Sequence, residues 1–323
     1  MKLVFFGTPE FAASHLDCLL TAQHEVLAVV TAPDKPSGRG LKTQVSAVKN
    51  TAITYNLPVL QPNNLKDADF INTLSAFHAD VFIVVAFRML PEIVWAMPKW
   101  GTYNIHASLL PQLRGAAPIN WSIINGHTQT GITMFKISMQ IDTGTILLQR
   151  KMQIKPEWNA GILHEHLKQL GCDTLKEGLE TIKKTITENA ALPLIDQNHE
   201  LATHAPKLFK QHQIIDWNKS SVQVLNTIRG LAPYPGAITY ATSKSNTKVQ
   251  IKILTAKAFE MPVPSPLISG TVLKLNNHII VAAADGWLEL CELQLEGKRR
   301  MDALAFGNGS ALHFPNRFFI SAE

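Results

Sequence analysis

The sequence predicts an α/β fold, a doubly wound and mostly parallel sheet, followed by a small β-barrel. Three observations predict it. The first half alternates short apolar runs with amphipathic stretches, the rhythm of strand, helix, strand. Its apolar runs, such as Val81-Phe82-Ile83-Val84-Val85-Ala86, are apolar throughout, as strands covered by helices on both faces must be. The distal third drops that rhythm for short alternating runs separated by turn residues.

Taken in order, residues 3–6 predict the first strand, 11–20 a helix, 26–30 a strand, 45–55 and 65–77 helices, and 81–86 a further strand. The turn Gly7-Thr8-Pro9 lacks the spacing G-x-G-x-x-G, and one glycine does not allow the close backbone approach that a pyrophosphate needs. It reads as a tight strand-to-helix turn, which argues against dinucleotide binding. A helix over 160–189 closes this part, and 192–210, with Pro193 and Pro206, reads as connector. Beyond it a helix over 221–231 precedes the turn Pro233-Tyr234-Pro235-Gly236 and strands over 249–254, 270–275, 278–283 and 287–293. The expected domains are 1–190, a linker over 191–210, and 211–323.

Size agrees with two domains, since 323 residues with 46% hydrophobic and 17% charged side chains exceed one comfortable core. Cys18, Cys172 and Cys291 are odd in number, far apart and in no C-x-x-C pair, so neither a disulfide framework nor a thiolate metal site is expected, and a reducing compartment fits. The apolar start is too short for an export signal, and no run of about 18 apolar residues escapes a charge, so a cytoplasmic protein without membrane spans is expected. The net charge of +5 is unevenly placed: residues 1–204 hold 17 Lys and Arg against 17 Asp and Glu, whereas 205–323 hold 13 against 8. A basic excess confined to one segment suits a polyanionic partner such as nucleic acid, with ordinary solubility charge as the rival explanation.

In open α/β sheets ligands bind beyond the carboxyl ends of strands. The polar stretches to inspect there are Pro33-Asp34-Lys35-Pro36-Ser37-Gly38-Arg39-Gly40 and the one that begins at Asn104. Asn104 and His106 share a strand face by the period of two, next to Ser108. An amide and an imidazole aimed into one crevice suit acyl transfer, in which negative charge builds on a carbonyl oxygen and donors placed beforehand lower the barrier. Asp142, in Ile141-Asp142-Thr143-Gly144 after the apolar run 131–137, is the candidate carboxylate to orient the imidazole and move a proton. An Asn-x-His pair alone is commonplace.

The neighbours of that pair decide its reading. Asn104-Ile105-His106-Ala107-Ser108-Leu109-Leu110-Pro111, Arg114-Gly115-Ala116-Ala117-Pro118-Ile119-Asn120-Trp121, Gly131-Ile132-Thr133 and Ile141-Asp142-Thr143-Gly144 together resemble the 10-formyltetrahydrofolate-dependent formyltransferases, and the likeness runs over nearly the whole chain. The opening Val4-Phe5-Phe6-Gly7-Thr8-Pro9-Glu10-Phe11 resembles that family's first strand and turn, and Ser269-Gly270-Thr271-Val272 with Asp285-Gly286 is similar to a C-terminal OB-type barrel.

The resemblance implies a Rossmann-like formyltransferase domain before that barrel, with Asn104, His106 and Asp142 as the catalytic set and Ser108, Leu109, Leu110 and Pro111 as a folate-contacting turn. It implies that Phe87, Arg88, Met89 and Leu90 border the pterin pocket. Here the chain departs from many members, reading Phe87-Arg88-Met89-Leu90-Pro91 where they carry a Tyr-Gly-containing segment one residue longer. The loop 33–49, with its core Gly38-Arg39-Gly40, is similar to an insertion that touches the tRNA acceptor end, which implies Lys35, Arg39 and Lys42 as RNA contacts, joined by Lys298, Arg299 and Arg300. The implied reaction moves the formyl group of 10-formyltetrahydrofolate to the free α-amine of methionyl-charged initiator tRNA for translation initiation, by a monomer and without a metal. Formylation of an amino-sugar nucleotide and a non-catalytic RNA-binding role are the rivals.

Three further features have plainer readings. His164-Glu165-His166 reads as amphipathic helix, since residues two apart on a helix face different sides. Trp95, Trp100, Trp121 and Trp158 read as packing residues. Tyr234 and Trp287 suit either stacking on RNA or packing in the barrel.

Overall fold

The computed structural model describes residues 1–37, 42–264, 266–309, 312–314 and 316–319. Along the chain run β1 (Lys2–Gly7), α1 (Glu10–Thr21), β2 (Glu25–Val30), β3 (Lys35–Ser37), β4 (Lys42–Gln44), α2 (Ala47–Thr54), β5 (Val59–Leu60), α3 (Ala68–Ser75), β6 (Val81–Val85), α4 (Glu92–Trp95), β7 (Thr102–His106), α5 (Pro118–Ile124), β8 (Gln129–Lys136), β9 (Ile146–Gln153) and α6 (Ala160–Thr187). They are followed by α7 (Lys210–Gln213), α8 (Ser221–Leu231), β10 (Ala237–Thr242), β11 (Lys248–Phe259), β12 (Thr271–Leu275), β13 (His278–Ala282), β14 (Trp287–Leu295), β15 (Met301–Asp302), α9 (Ala303–Gly309) and β16 (Asn316–Phe319). Two compact units result, one of Met1–Gly115, Thr130–Met152 and His164–His204, the other of Ala116–Gln129, Gln153–Leu163 and Ala205–Glu323.

The first unit is built on a sheet of order β5-β2-β1-β6-β7-β8-β9. β1, β2, β5, β6 and β7 pair in parallel, and the turn to β8 makes the β7–β8 pair antiparallel. Burial explains the unbroken apolar runs, because Leu3, Val4, Phe5 and Phe6 of β1 and Ile83 and Val85 of β6 are all sealed from solvent. One face packs Val4, Phe6, Ala28, Val30, Phe82 and Val84 against Phe70 and Leu74 of α3. Side chains cap the shorter helices: Ser46 accepts from the Lys49 amide at 3.0 Å ahead of α2, and Asp67 from the Phe70 amide at 3.1 Å ahead of α3. Pro9 opens α1 directly after the β1 turn, as expected from Gly7-Thr8-Pro9.

The second unit is an antiparallel sheet of order β11-β10-β16-β12-β13-β14-β15, in which an additional β11–β14 pairing closes the ring. Closure removes the open edges that a short-stranded sheet would otherwise expose. Its core holds Trp217, Ile228, Leu231, Val281, Leu288 and Phe306, and the Trp217 indole donates to Thr239 Oγ1 at 3.0 Å. Trp287, one of two aromatics left open between RNA stacking and packing, is 4% exposed and packs with Ile280 and Ala282. Tyr234, the other, is 81% exposed.

Candidate functional site

Asn104 and His106 lie two apart in β7 and therefore share one face of it. The parallel register that sets Val84 beside Asn104 and Val85 beside Ile105 puts the ends of β6 and β7 at one edge of the sheet, where segment 87–91 also begins. His106 is buried, and its ring is anchored on one side and faces a carboxylate on the other. Nε2 lies 2.9 Å from the carbonyl of Leu113. That oxygen only accepts, so Nε2 carries a hydrogen and donates it. Nδ1 stands 3.7 Å from Asp142 Oδ2. This is beyond hydrogen-bond length, which leaves Nδ1 as the ring nitrogen free to serve a third group.

Asp142 reaches this place through the β8–β9 connection, with a left-handed φ of 56°. Three contacts hold it. The Gly115 amide donates to Oδ2 at 2.8 Å, while Gln197 Nε2 donates to the carbonyls of Asp142 at 3.0 Å and Gly144 at 2.8 Å. Gly144 has no room for a side chain, because a Cβ there would stand 1.7 Å from the Lys136 carbonyl. The other end of the Gln197 amide accepts from Arg114 Nη2 at 2.6 Å. Burial draws the Arg114 guanidinium below its ordinary pKa, and the charge of Asp142 pulls the other way. The three residues singled out in the sequence thus have different surroundings: His106 is anchored, Asp142 is clamped, and Asn104 is left with an unmet need. Its Oδ1 is buried without a partner. That buried oxygen meets no donor among the described residues, so a donor atom of a ligand fits there.

The turn Ser108-Leu109-Leu110-Pro111 spends much of its polarity on itself. Ser108 is sealed and donates through Oγ to the Gln112 carbonyl at 2.6 Å, while its own carbonyl accepts from Thr133 Oγ1 at 2.7 Å. The Leu110 carbonyl accepts from Gln149 Nε2 at 2.7 Å, and the Leu110 side chain packs on Phe135 and Ile146. Leu109 and Pro111 keep partial exposure. In the next segment Phe87 packs edge-on against Phe6 at 5.8 Å, Leu90 is buried, and Met89 is 66% exposed. Arg88 donates to the carbonyls of Pro62 and Asn63. Together with Leu65, Pro91 and Ile93, residues 88–90 line an open cavity of about 870 Å³.

Of the basic residues expected at RNA, Lys35 and Lys42 fall on β3 and β4, which pair as a ribbon with Lys35 opposite Gln44 and Ser37 opposite Lys42. Arg39, with Gly38 and Gly40, lies outside the described residues. The base of the ribbon is fixed by Asp34, which takes Lys49 Nζ at 2.5 Å and Gln61 Nε2 at 2.8 Å. Lys298, Arg299 and Arg300 are exposed between β14 and β15, and Arg300 reaches the Pro233 carbonyl at 3.4 Å. The carbonyl of Pro235 takes Lys252 Nζ at 2.8 Å, so two cations tie down the turn that presents Tyr234.

Sequence reasoning missed Gln197, Arg114 as a partner of Asp142, and the carbonyl of Leu113. Gln197 sits in a stretch read as connector, where no spacing marks it. His164 rests edge-on against Phe11 at 5.3 Å, and no group of three or more His, Cys, Asp or Glu among the described residues is placed to hold a metal. No helix among the described residues is long and apolar enough to cross a membrane.

Comparison with known proteins bears on this geometry. Residues 1–179 match the family described as formyl transferase, and residues 207–311 match the formyl transferase C-terminal domain. A relative from Flavobacterium johnsoniae, named methionyl-tRNA formyltransferase, is 45% identical over 309 residues, covering 96% of each chain. Among solved structures, WlaRD, a sugar 3N-formyl transferase determined with dTDP and 5-N-formyl-THF, aligns with 93% of this chain and 99% of its own at a TM-score of 0.63 and 19% identity. HypX from Aquifex aeolicus in complex with tetrahydrofolic acid aligns with 95% of this chain and 47% of its own at a TM-score of 0.61 and 18% identity. At such identities these two structures speak to the fold alone.

Proposed function

The chain belongs to the formyl transferase family, and from that premise we propose that it moves the formyl group of 10-formyltetrahydrofolate to the free α-amine of methionyl-charged initiator tRNA, giving N-formylmethionyl-tRNA for translation initiation. The full-length likeness to the Flavobacterium johnsoniae protein supports the acceptor. The observation that carries the chemistry is His106, fixed through Nε2 with Nδ1 left over, on the same face of β7 as the Asn104 amide, whose buried oxygen has no partner among the described residues.

The folate supplies a formyl group on nitrogen, and the work of the protein is to hold and neutralise. As the amine adds to the formyl carbon, the carbonyl oxygen takes on negative charge; the Nδ1 hydrogen of a protonated His106 and the Asn104 amide are donors set for it in advance. Asp142 faces the imidazole across 3.7 Å. Its Oδ1 carries no hydrogen bond among the described residues, and it takes the proton from the attacking amine and passes it, through water, to the departing folate nitrogen. The chain itself ends the cycle unchanged.

The turn 108–111 fits the reading as a wall: Ser108 and Leu110 stiffen it, and Leu109 and Pro111 offer the accessible surface toward the folate. Arg88, Met89 and Leu90 line the cavity suited to the rest of that molecule, and Phe87, packed on Phe6, leads into that segment. For the RNA, Lys35 and Lys42 of the ribbon, Arg39 of the segment between them in sequence, and Lys298, Arg299 and Arg300 of the second unit are assigned to phosphates, which makes binding salt-sensitive.

The test offers the chain 10-formyltetrahydrofolate with methionyl-charged initiator tRNA and, in parallel, an amino-sugar nucleotide. Formyl label is expected on the methionyl group, and label on the sugar instead would overturn the assignment of acceptor. His106→Ala is expected to fold and to lose turnover by orders of magnitude; normal turnover would remove His106 from the mechanism.

A further inference from the structure

Two of the three cysteines, far apart in sequence, meet where α1 crosses α6. The helices touch through Gly171, at which a Cβ would come within 2.2 Å of His15 Nε2. One turn along α1 from His15 stands Cys18, and next to Gly171 stands Cys172, whose Sγ lies 3.6 Å from the Ser14 carbonyl. Ser14, whose carbonyl the Cys172 thiol meets, is one helical turn before Cys18, so the two thiols lie side by side, and the Lys176 ammonium shares their cleft. Both cysteines are reduced, and each keeps 8% of its surface exposed. They open on a cleft of about 580 Å³ that Asp17, Glu165, Lys168 and Lys176 also line. Lys168 is neutralised there by Glu10 at 3.2 Å and Glu165 at 2.7 Å, whereas Lys176 has no ion pair among the described residues.

In a pair of neighbouring thiols beside a cation, the one whose thiolate that charge favours is the nucleophile, and its neighbour is placed to resolve what it forms. The Cys172 hydrogen bond, aided by Lys176, draws the Cys18 thiol down to about 7 against burial and the charge of Asp173; the same contact and burial push the Cys172 thiol up. None of the groups proposed for formyl transfer takes part.

We propose that Cys18 and Cys172 are a redox-sensitive dithiol that a low-molecular-weight disulfide oxidises to an intrachain disulfide, tying α1 to α6 reversibly. The Cys18 thiolate attacks one sulfur of the small disulfide, forming a mixed disulfide and releasing one small thiolate. That thiolate takes the proton of Cys172, and Cys172 then attacks Cys18 Sγ and expels the second small thiolate, which is protonated from solvent. Two protein thiols are oxidised and one disulfide is reduced to two thiols. Excess thiol runs the steps backward.

The full chain is incubated, folded, with oxidised glutathione, quenched in acid, alkylated and digested without reduction. The expected product is a peptide pair joined through Cys18 and Cys172 and released by dithiothreitol, with Cys291 still alkylated as the internal control. In Cys172→Ser, which removes the resolving thiol, a glutathione adduct on Cys18 is expected to persist. Glutathione retained on Cys18 in the unsubstituted chain, oxidation of Cys291 ahead of the pair, or no linked peptide would each overturn the proposal. Thermal unfolding of Cys172→Ser near that of the parent shows that the adduct reports chemistry on a folded chain; if the variant unfolds, the unsubstituted chain alone decides.

Discussion

Replacing Asn104 with leucine separates the needs of the fold from those of the reaction. The side chain keeps its branch at Cγ and nearly its volume, but loses a polar end that the fold leaves buried and unpartnered. An unmet buried polar group costs about 1–3 kcal/mol, and an apolar isostere returns part of that. The expected thermal midpoint is therefore unchanged or a few degrees higher, at about 2–4 °C per kcal/mol for a unit of this size. A donor aimed at a developing oxyanion contributes about 2.7–4 kcal/mol to the transition state, so turnover should fall by about 10²–10³. Two measurements decide: circular-dichroism melting, and formyl transfer to methionyl-charged tRNA with both substrates saturating. A melting point that falls along with activity would show that Asn104 serves the fold. Turnover within about threefold of the parent would show that it serves neither.

Other expectations rest on separate contacts. Gln197→Leu strips a donor from two carbonyls at the Asp142 turn and an acceptor from Arg114, so a loss of about 1–3 kcal/mol in urea unfolding is expected together with a fall in kcat at unchanged KM for tRNA; a KM effect alone would contradict a positioning role. Tyr234→Ala should raise KM for charged tRNA by about 5–100-fold, the worth of one stacked base, with folate KM unchanged, and an unaltered tRNA KM would return Tyr234 to the plain surface. Burial lowers the His15 pKa from 6.5 to about 4. The unfolded chain therefore binds the proton first as pH falls, and the contribution of this group, full above pH 6.5, is lost toward pH 4, by about 3 kcal/mol in all. His15→Asn keeps a donor for the Phe11 carbonyl and removes that titration, so the variant should gain on the parent in urea midpoint as pH drops through this window; parallel curves would refute the assignment.

How much of this was legible in the sequence depends on how far apart the interacting residues lie. Val81 to Val85 announce a doubly covered strand because burial acts on each residue in turn, and β7 places Asn104 and His106 on one face by its own period. The position of Asp142 has no such local cause. It depends on a left-handed residue, on a glycine with no room for a Cβ, and on an amide 55 positions away along the chain. The residues suggested the pairing of His106 with Asp142 and the resemblance implied it as well, but neither said which imidazole nitrogen is left free. That follows from the Leu113 carbonyl, a backbone atom whose identity no side chain encodes. The same reasoning bounds what a motif can promise. A chain with Asn104, His106 and Asp142 in place, but with no amide at 197 to hold the carbonyls of Asp142 and Gly144, would keep the signature in its sequence while its carboxylate drifted from the imidazole. Activity in this fold is therefore expected to track the support beneath the carboxylate as closely as the three named residues.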